Sequence, residues 1–122
     1  MRKKPRDTDK IVIQKMIGYC DSIEDIVMKF GGTFEQFNSD FSFQMACSAC
    51  IIQIGELTTR LTENFKKQHS EIAWNAIKSM RNIHAHDYES VRFDVMWNTL
   101  TTEIPDLKKS LQEILEKGEF SQ

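Results

Sequence analysis

A chain of 122 residues, 40% apolar and 28% charged, is long enough to bury a core without staples and too apolar to be disordered. Its formal net charge of −2 supplies no global field for nucleic acid, so any RNA or DNA contact must come from a local basic patch. No apolar run of roughly 18 residues is present, which excludes a membrane-spanning helix. The opening Met-Arg-Lys-Lys-Pro-Arg is basic but lacks the apolar stretch of a secretory signal, so the cytoplasm is the expected location.

Helical periodicity dominates. Ile13, Met16, Cys20, Ile23, Val27 and Phe30 recur at steps of three and four and form one face of a first helix. Asp7 or Thr8 is the expected N-cap, and Gly31-Gly32 the stop. Thr33 with Gln36 resembles a capping box opening a short helical turn, whose Phe34 and Phe37 fold back onto the core.

A second long helix is expected from Ser39 or Asp40 to about Glu63. Phe43, Cys47, Cys50, Ile54, Leu57 and Leu61 form one stripe, and Phe41, Met45 and Ile52 another. That width implies burial on two sides, which makes this helix the centre of the bundle or a subunit interface. Gly55 weakens the helix and points to a close crossing there. Residues 64–70 read as a polar connection, with His69 a solvated neighbour of Lys66 and Lys67.

A third long helix follows, with Ile72, Ala73, Ala76, Ile77 and Met80 inward. Its pattern fades near Ile83 and resumes from about Asp94 with Met96, Leu100, Ile104, Leu107, Leu111 and Ile114. Pro105 removes one backbone donor and is expected to kink or split this last helix, and Gly118 to end it. The expected fold is one all-α domain spanning 1–122. It is an up-down four-helix bundle with a short extra helical turn and a kinked last helix.

Three cysteines are present, and Cys47 and Cys50 form a C-x-x-C. No second pair follows and both lie in a helical apolar stripe, so core packing is favoured over redox or zinc chemistry. Trp74 and Trp97 read as packing residues, because no basic cluster alternates with them. His84 and His86 make an H-x-H without a third ligand at a recognisable spacing, so no metal is implied.

The stretch Arg-Asn-Ile-His-Ala-His-Asp-Tyr at 81–88 carries most of the functional information. Arg81 offers a planar fork of donors for a phosphate, and His86 a proton carrier near neutral pH. Five residues separate them, about 140° around an ideal helix, so they do not share a face of one continuous helix. A working site requires the helix to end between them or a second subunit to complete it. The fading apolar pattern favours the first route, and a helix C-terminus also attracts cations. In the bland reading Arg81 caps the helix end, His86 satisfies a buried carbonyl and Tyr88 packs.

Arg81-Asn82, three residues, His86, one residue and Tyr88 resembles the signature of the HEPN superfamily, and more narrowly of HepT-like toxins from prokaryotic toxin–antitoxin pairs. The likeness covers nearly the whole chain. Arg6-Asp7 opens the first helix as in that family, and Ile54-Gly55-Glu56 occupies the place of a family triplet. Trp74 precedes the arginine by the usual interval, and Trp97 and Ile104-Pro105-Asp106-Leu107 resemble the family's last helix. The proline common before the tryptophan is missing from residues 69–73. The resemblance implies a homodimer in which both motifs face one groove, and metal-independent cleavage of RNA by attack of its own 2′-hydroxyl. Arg81 and His86 would be the catalytic pair, Asn82 an orienting residue and Tyr88 part of the cleft. It further implies no cofactor, and a minimal nucleotidyltransferase antitoxin that can attach AMP to Tyr88. The alternative is a non-catalytic helical module that binds a nucleotide or a protein partner.

Overall fold

The computed structural model describes residues 8–118 and 120. All elements among them are helical: α1 (Asp9–Lys29), α2 (Phe34–Ser39), α3 (Phe41–Thr58), α4 (Glu63–Gln68), α5 (Trp74–His86), α6 (Phe93–Asn98) and α7 (Ile104–Lys117). A 3-10 turn at Tyr88–Ser90 follows α5, and a π-helical turn at Thr99–Glu103 joins α6 to α7.

Local chemistry sets most boundaries. Thr8, Thr33, Asp40 and Thr62 each accept a hydrogen bond from the backbone N–H three residues on, which caps α1, α2, α3 and α4. Of the two expected caps for α1, Thr8 is the one seen; Asp7 and Arg6 lie outside the described residues. Gly31 and Gly32 follow α1 with positive φ, and Gly118 ends α7 in the left-handed region. Pro105 sits in the first turn of α7, directly after the π-helical turn. The expected disruption of the last helix is therefore a split, made by a widened turn.

The long helices pack in the order α5, α3, α1, α7, with α3 against both α1 and α5. That central place matches the expectation drawn from its width. One continuous core runs through Ile13, Met16, Phe37, Phe43, Ile54, Leu100 and Leu111, all nearly or wholly buried. Phe37, Phe43 and Trp97 form an aromatic cluster, with Phe37–Phe43 centroids 5.1 Å apart and Phe43–Trp97 6.1 Å apart. The three cysteines are buried and free, and burial pushes the Cys20 and Cys47 thiols up to about 12. They remain protonated and act as small apolar groups.

The pattern misleads in four places. Helix α3 ends at Thr58, and 63–68 is a helix whose Phe65 is buried. The polar composition there belongs to the outer side of one short amphipathic turn. His69 is buried rather than solvated. It packs on Phe65 at 4.5 Å, and its carbonyl accepts a bond from Trp74 Nε1 at 3.1 Å. In the second stripe of α3, Phe41, the first residue of the helix, is 69% exposed. Ala73 and Ala76, expected inward, are exposed. They face an open seam between α5 and the α6–α7 limb, where adjoining hollows of about 310 and 400 Å³ share Ala76, Met80, Thr99 and Glu103.

Candidate active site

Helix α5 presents Ile77, Arg81 and His84 towards α3 at steps of four and three, while Trp74 at its start packs on Phe65 of α4. The helix continues through His86 and is capped at Asp87, so it does not end between Arg81 and His86 as the fading pattern suggests. That pattern fades because two inward positions are polar, not because the helix stops. His84 is buried, and its Nδ1 lies 2.7 Å from Ser48 Oγ on α3. Burial lowers its pKa below the usual histidine value, so this imidazole is neutral and bridges the two helices.

Arg81 lies where α3 and α5 cross. A Cβ on Gly55 would sit 2.6 Å from Arg81 Cγ and 3.4 Å from the Ile77 carbonyl oxygen, so only glycine admits the arginine stem here. This is the close crossing expected at Gly55. The Arg81 guanidinium then ion-pairs through Nη2 with Glu56 and donates from Nη1 to Asn82 Oδ1 at 2.6 Å. With a quarter of its side chain still exposed, Arg81 is held in one pose at the surface of the bundle. Its Nε is buried without an acceptor.

His86 is exposed on the outward side of α5, as are Lys78 and Asn82. At about 100° per residue, Asn82 falls between Arg81 and His86 around the helix. Within one chain the structure brings Arg81 and Asn82 together and leaves His86 apart. The H-x-H pair is likewise divided, with His84 inward and His86 outward. Among the described residues no group of three or more histidine, cysteine or acidic side chains is placed to hold a metal ion.

Tyr88 is half-buried in the 3-10 turn, its ring 5.9 Å from His84 and 6.4 Å from Phe93. Its hydroxyl is buried with no hydrogen-bond partner, and burial raises its pKa above the usual phenol value. The turn is tied by Ser90 Oγ donating to Asp87 at 2.7 Å.

Sequence reasoning missed two members of this region. Glu56 orients Arg81; it was named only as part of the Ile54-Gly55-Glu56 triplet and was given no role. Ser48 holds His84, and its signal was a position seven residues, or two helical turns, before Gly55 on the same face of α3.

Comparison with known proteins bears on the same residues. A protein of Caldanaerobacter subterraneus subsp. tengcongensis named "Putative RNase" is 31% identical over 110 residues, 90% of this chain and 96% of the relative. One of Thermococcus cleftensis named "Probable ribonuclease HepT" is 33% identical over 81 residues, 66% of this chain and 74% of the relative. A "Putative RNase" of Methanocaldococcus jannaschii is 23% identical over 111 residues. No solved structure matches the chain. The model of the family described as ribonuclease HepT-like matches residues 16–114, a span that holds Gly55, Glu56 and the whole 81–88 stretch. The chain therefore belongs to the ribonuclease HepT-like family, within the HEPN superfamily.

Proposed function

We propose that this chain is an RNA-cleaving toxin, a single HEPN-like domain that works as a homodimer in the cytoplasm. The observation that carries this reading is the clamped arginine. Gly55 clears space for Arg81, Glu56 and Asn82 orient it, and its guanidinium still reaches the surface. A fixed cation of this kind stabilises charge that develops on phosphoryl oxygens. Attack by the RNA 2′-oxygen on the adjacent phosphorus expels the 5′-oxygen and moves one proton from nucleophile to leaving group. His86 carries that proton without a metal. Because α5 runs unbroken from Arg81 to His86, a second copy completes the site by setting the two motifs across one groove.

The neutralising partner is a nucleotidyltransferase that adds AMP to Tyr88. A phosphate placed there would pair with Arg81 and close the groove to RNA. The buried Tyr88 hydroxyl means that the 3-10 turn must open before the transfer.

The test is cleavage of a mixed RNA by purified protein, with Arg81→Ala and His86→Ala beside it. Loss of cleavage in both variants supports the reading, and wild-type protein that leaves RNA intact sinks it. A second reading, a non-catalytic nucleotide- or partner-binding module, draws support from the separation of Arg81 and His86 within one chain. It requires nucleotide or partner affinity that falls on Arg81→Ala while RNA stays whole. A purely structural role requires both residues buried and paired internally, and His86 is exposed.

A further inference from the structure

We infer that Lys78 is a further RNA-binding residue, which holds the phosphate next to the one gripped by Arg81, on an outward ridge of α5 shared with Asn82 and His86. This rests on the ribonuclease reading and names where the neighbouring part of the strand lies.

The first observation is position. Arg81 donates to Asn82 across the outside of α5, so its guanidinium turns to the side of the helix between the two. At about 100° per residue, Lys78 falls on that same side, between Arg81 and Asn82 around the helix. It stands three residues before Arg81 and four before Asn82, the spacings at which side chains on a helix meet. Ala85, one turn after Arg81 on this side, is exposed and adds only a methyl, which leaves room for a ligand. Lys78, Asn82 and His86 are all exposed and follow at steps of four, a ridge about 12 Å long at 1.5 Å per residue.

The second is charge. Helix α5 carries no aspartate or glutamate from Trp74 to His86, and α3 carries one acid, Glu56, with no lysine or arginine. Glu56 is taken by Arg81, so the charge left over on the surface shared by α3 and α5 is that of Lys78. Elsewhere on the bundle Lys66 is matched by Glu63, Arg92 by Asp94, and Lys108 by Asp21 and Glu24. Lys78 has no hydrogen-bond or ion-pair partner among the described residues. Like charges one turn apart on a helix repel, and a phosphate set against Lys78 and Arg81 relieves that repulsion.

The third is direction. The open seam on the opposite side of α5 is lined by Glu71, Glu103 and Asp106, and Asp87 and Glu89 follow the helix C-terminus. Phosphates are repelled from both places and drawn along the ridge towards Lys78. The two cations also divide the work by their chemistry. The fixed fork of Arg81 suits the reacting phosphate, whereas the ammonium of Lys78, on a flexible stem, follows a neighbouring phosphate without reading a base.

The experiment measures binding of 2′-O-methyl oligouridylate and oligoadenylate of about 12 nucleotides, which lack the attacking hydroxyl, at salt from about 50 to 200 mM. The full chain is compared with Lys78→Gln, Lys78→Arg and a Lys109→Gln control on α7. Lys78→Gln is expected to bind both strands about tenfold more weakly, with a salt slope shallower by about 0.7, the share of one phosphate on a single strand. Lys78→Arg is expected to keep most of the affinity and the slope, and Lys109→Gln to bind as the wild type does. Because Lys78 is exposed beside a like charge, Lys78→Gln is expected to melt no lower than the wild type, which separates lost binding from lost fold. A folded Lys78→Gln protein with wild-type affinity and slope overturns the assignment and leaves the ribonuclease reading in place. Weakening on only one of the two strands marks a base contact and overturns it as well. A Lys78→Gln protein that does not fold gives the lysine a structural role and overturns it too. A wild-type chain that neither binds nor cuts RNA overturns both readings.

Discussion

Gly55 and Arg81 share one site at the crossing of α3 and α5: the carbon that glycine lacks is the space that the first carbons of the arginine side chain fill. Gly55→Ala would improve helix propensity by about 1 kcal/mol on its own. At this crossing the added methyl overlaps the Arg81 stem, and overpacking of that kind costs about 1–3 kcal/mol. The net expectation is a lower melting temperature together with a displaced arginine, so RNA cleavage falls further than stability explains. Thermal melts and cleavage rates on the same samples check it, and a Gly55→Ala protein with wild-type cleavage contradicts it.

Glu56→Gln keeps the shape of the carboxylate and removes its charge. The Arg81–Glu56 pair is partly exposed on both sides, so its contribution to stability is about 0–1 kcal/mol. Positioning is a different matter, because the freed guanidinium samples other poses. Cleavage is expected to drop about tenfold in kcat with little change in melting temperature. Equal kcat for the two proteins would remove Glu56 from the site.

His84 makes stability depend on pH. Its folded-state pKa lies below the ordinary value of 6.5, so the unfolded chain takes up its proton first as the solution is acidified. The stabilising effect of keeping this imidazole neutral is present above about pH 6.5. It is lost as the pH falls towards the folded-state value, by up to about 1.4 kcal/mol for each unit of depression. Melting temperatures between about pH 7.5 and 5.5 should therefore fall with acidity, and His84→Gln should flatten that part of the curve. An unchanged slope in the variant would assign the acid sensitivity elsewhere.

Tyr88→Phe removes a buried hydroxyl that has no hydrogen-bond partner. Deleting an unsatisfied group is neutral or stabilising, so the variant should melt at or above the wild-type temperature by up to about 1 kcal/mol of added stability. With the proposed nucleotidyltransferase present, the same variant should resist neutralisation while retaining RNA cleavage. Loss of AMP incorporation, read by mass spectrometry, locates the modification. Incorporation that survives in Tyr88→Phe places it on another residue.

Much of the bundle was legible in the sequence, because helix ends are written in local chemistry. Thr33 and Asp40 cap where expected, Gly31-Gly32 and Gly118 stop their helices, and Pro105 marks a discontinuity. What misled was the assumption that inward residues are apolar. Arg81 and His84 point at α3 yet are polar, so the end of α5 was placed too early. His69 is buried for a related reason, since its ring rests on Phe65. The motif residues Arg81, Asn82, His86 and Tyr88 were visible as a string, but their partners Glu56 and Ser48 lie on another helix. Only a known packing of α3 on α5 supplies them.

The π-helical turn at Thr99–Glu103 has a consequence for register. Across it, Met96, Leu100 and Ile104 stay buried at successive steps of four, whereas α7 beyond it buries Leu111 and Ile114 at a step of three. A π-helical turn holds one residue more than an α-helical one, and this one joins α6 to α7 with both helices on the same core. Deleting one residue from Thr99–Glu103 would join α6 and α7 into a single regular helix and rotate α7 by about 100°. Leu111 and Ile114 would swing away from α1, and Lys108 would leave Asp21 and Glu24, which it now reaches at 2.6 and 2.7 Å. The widened turn is thus part of what seats the last helix on α1.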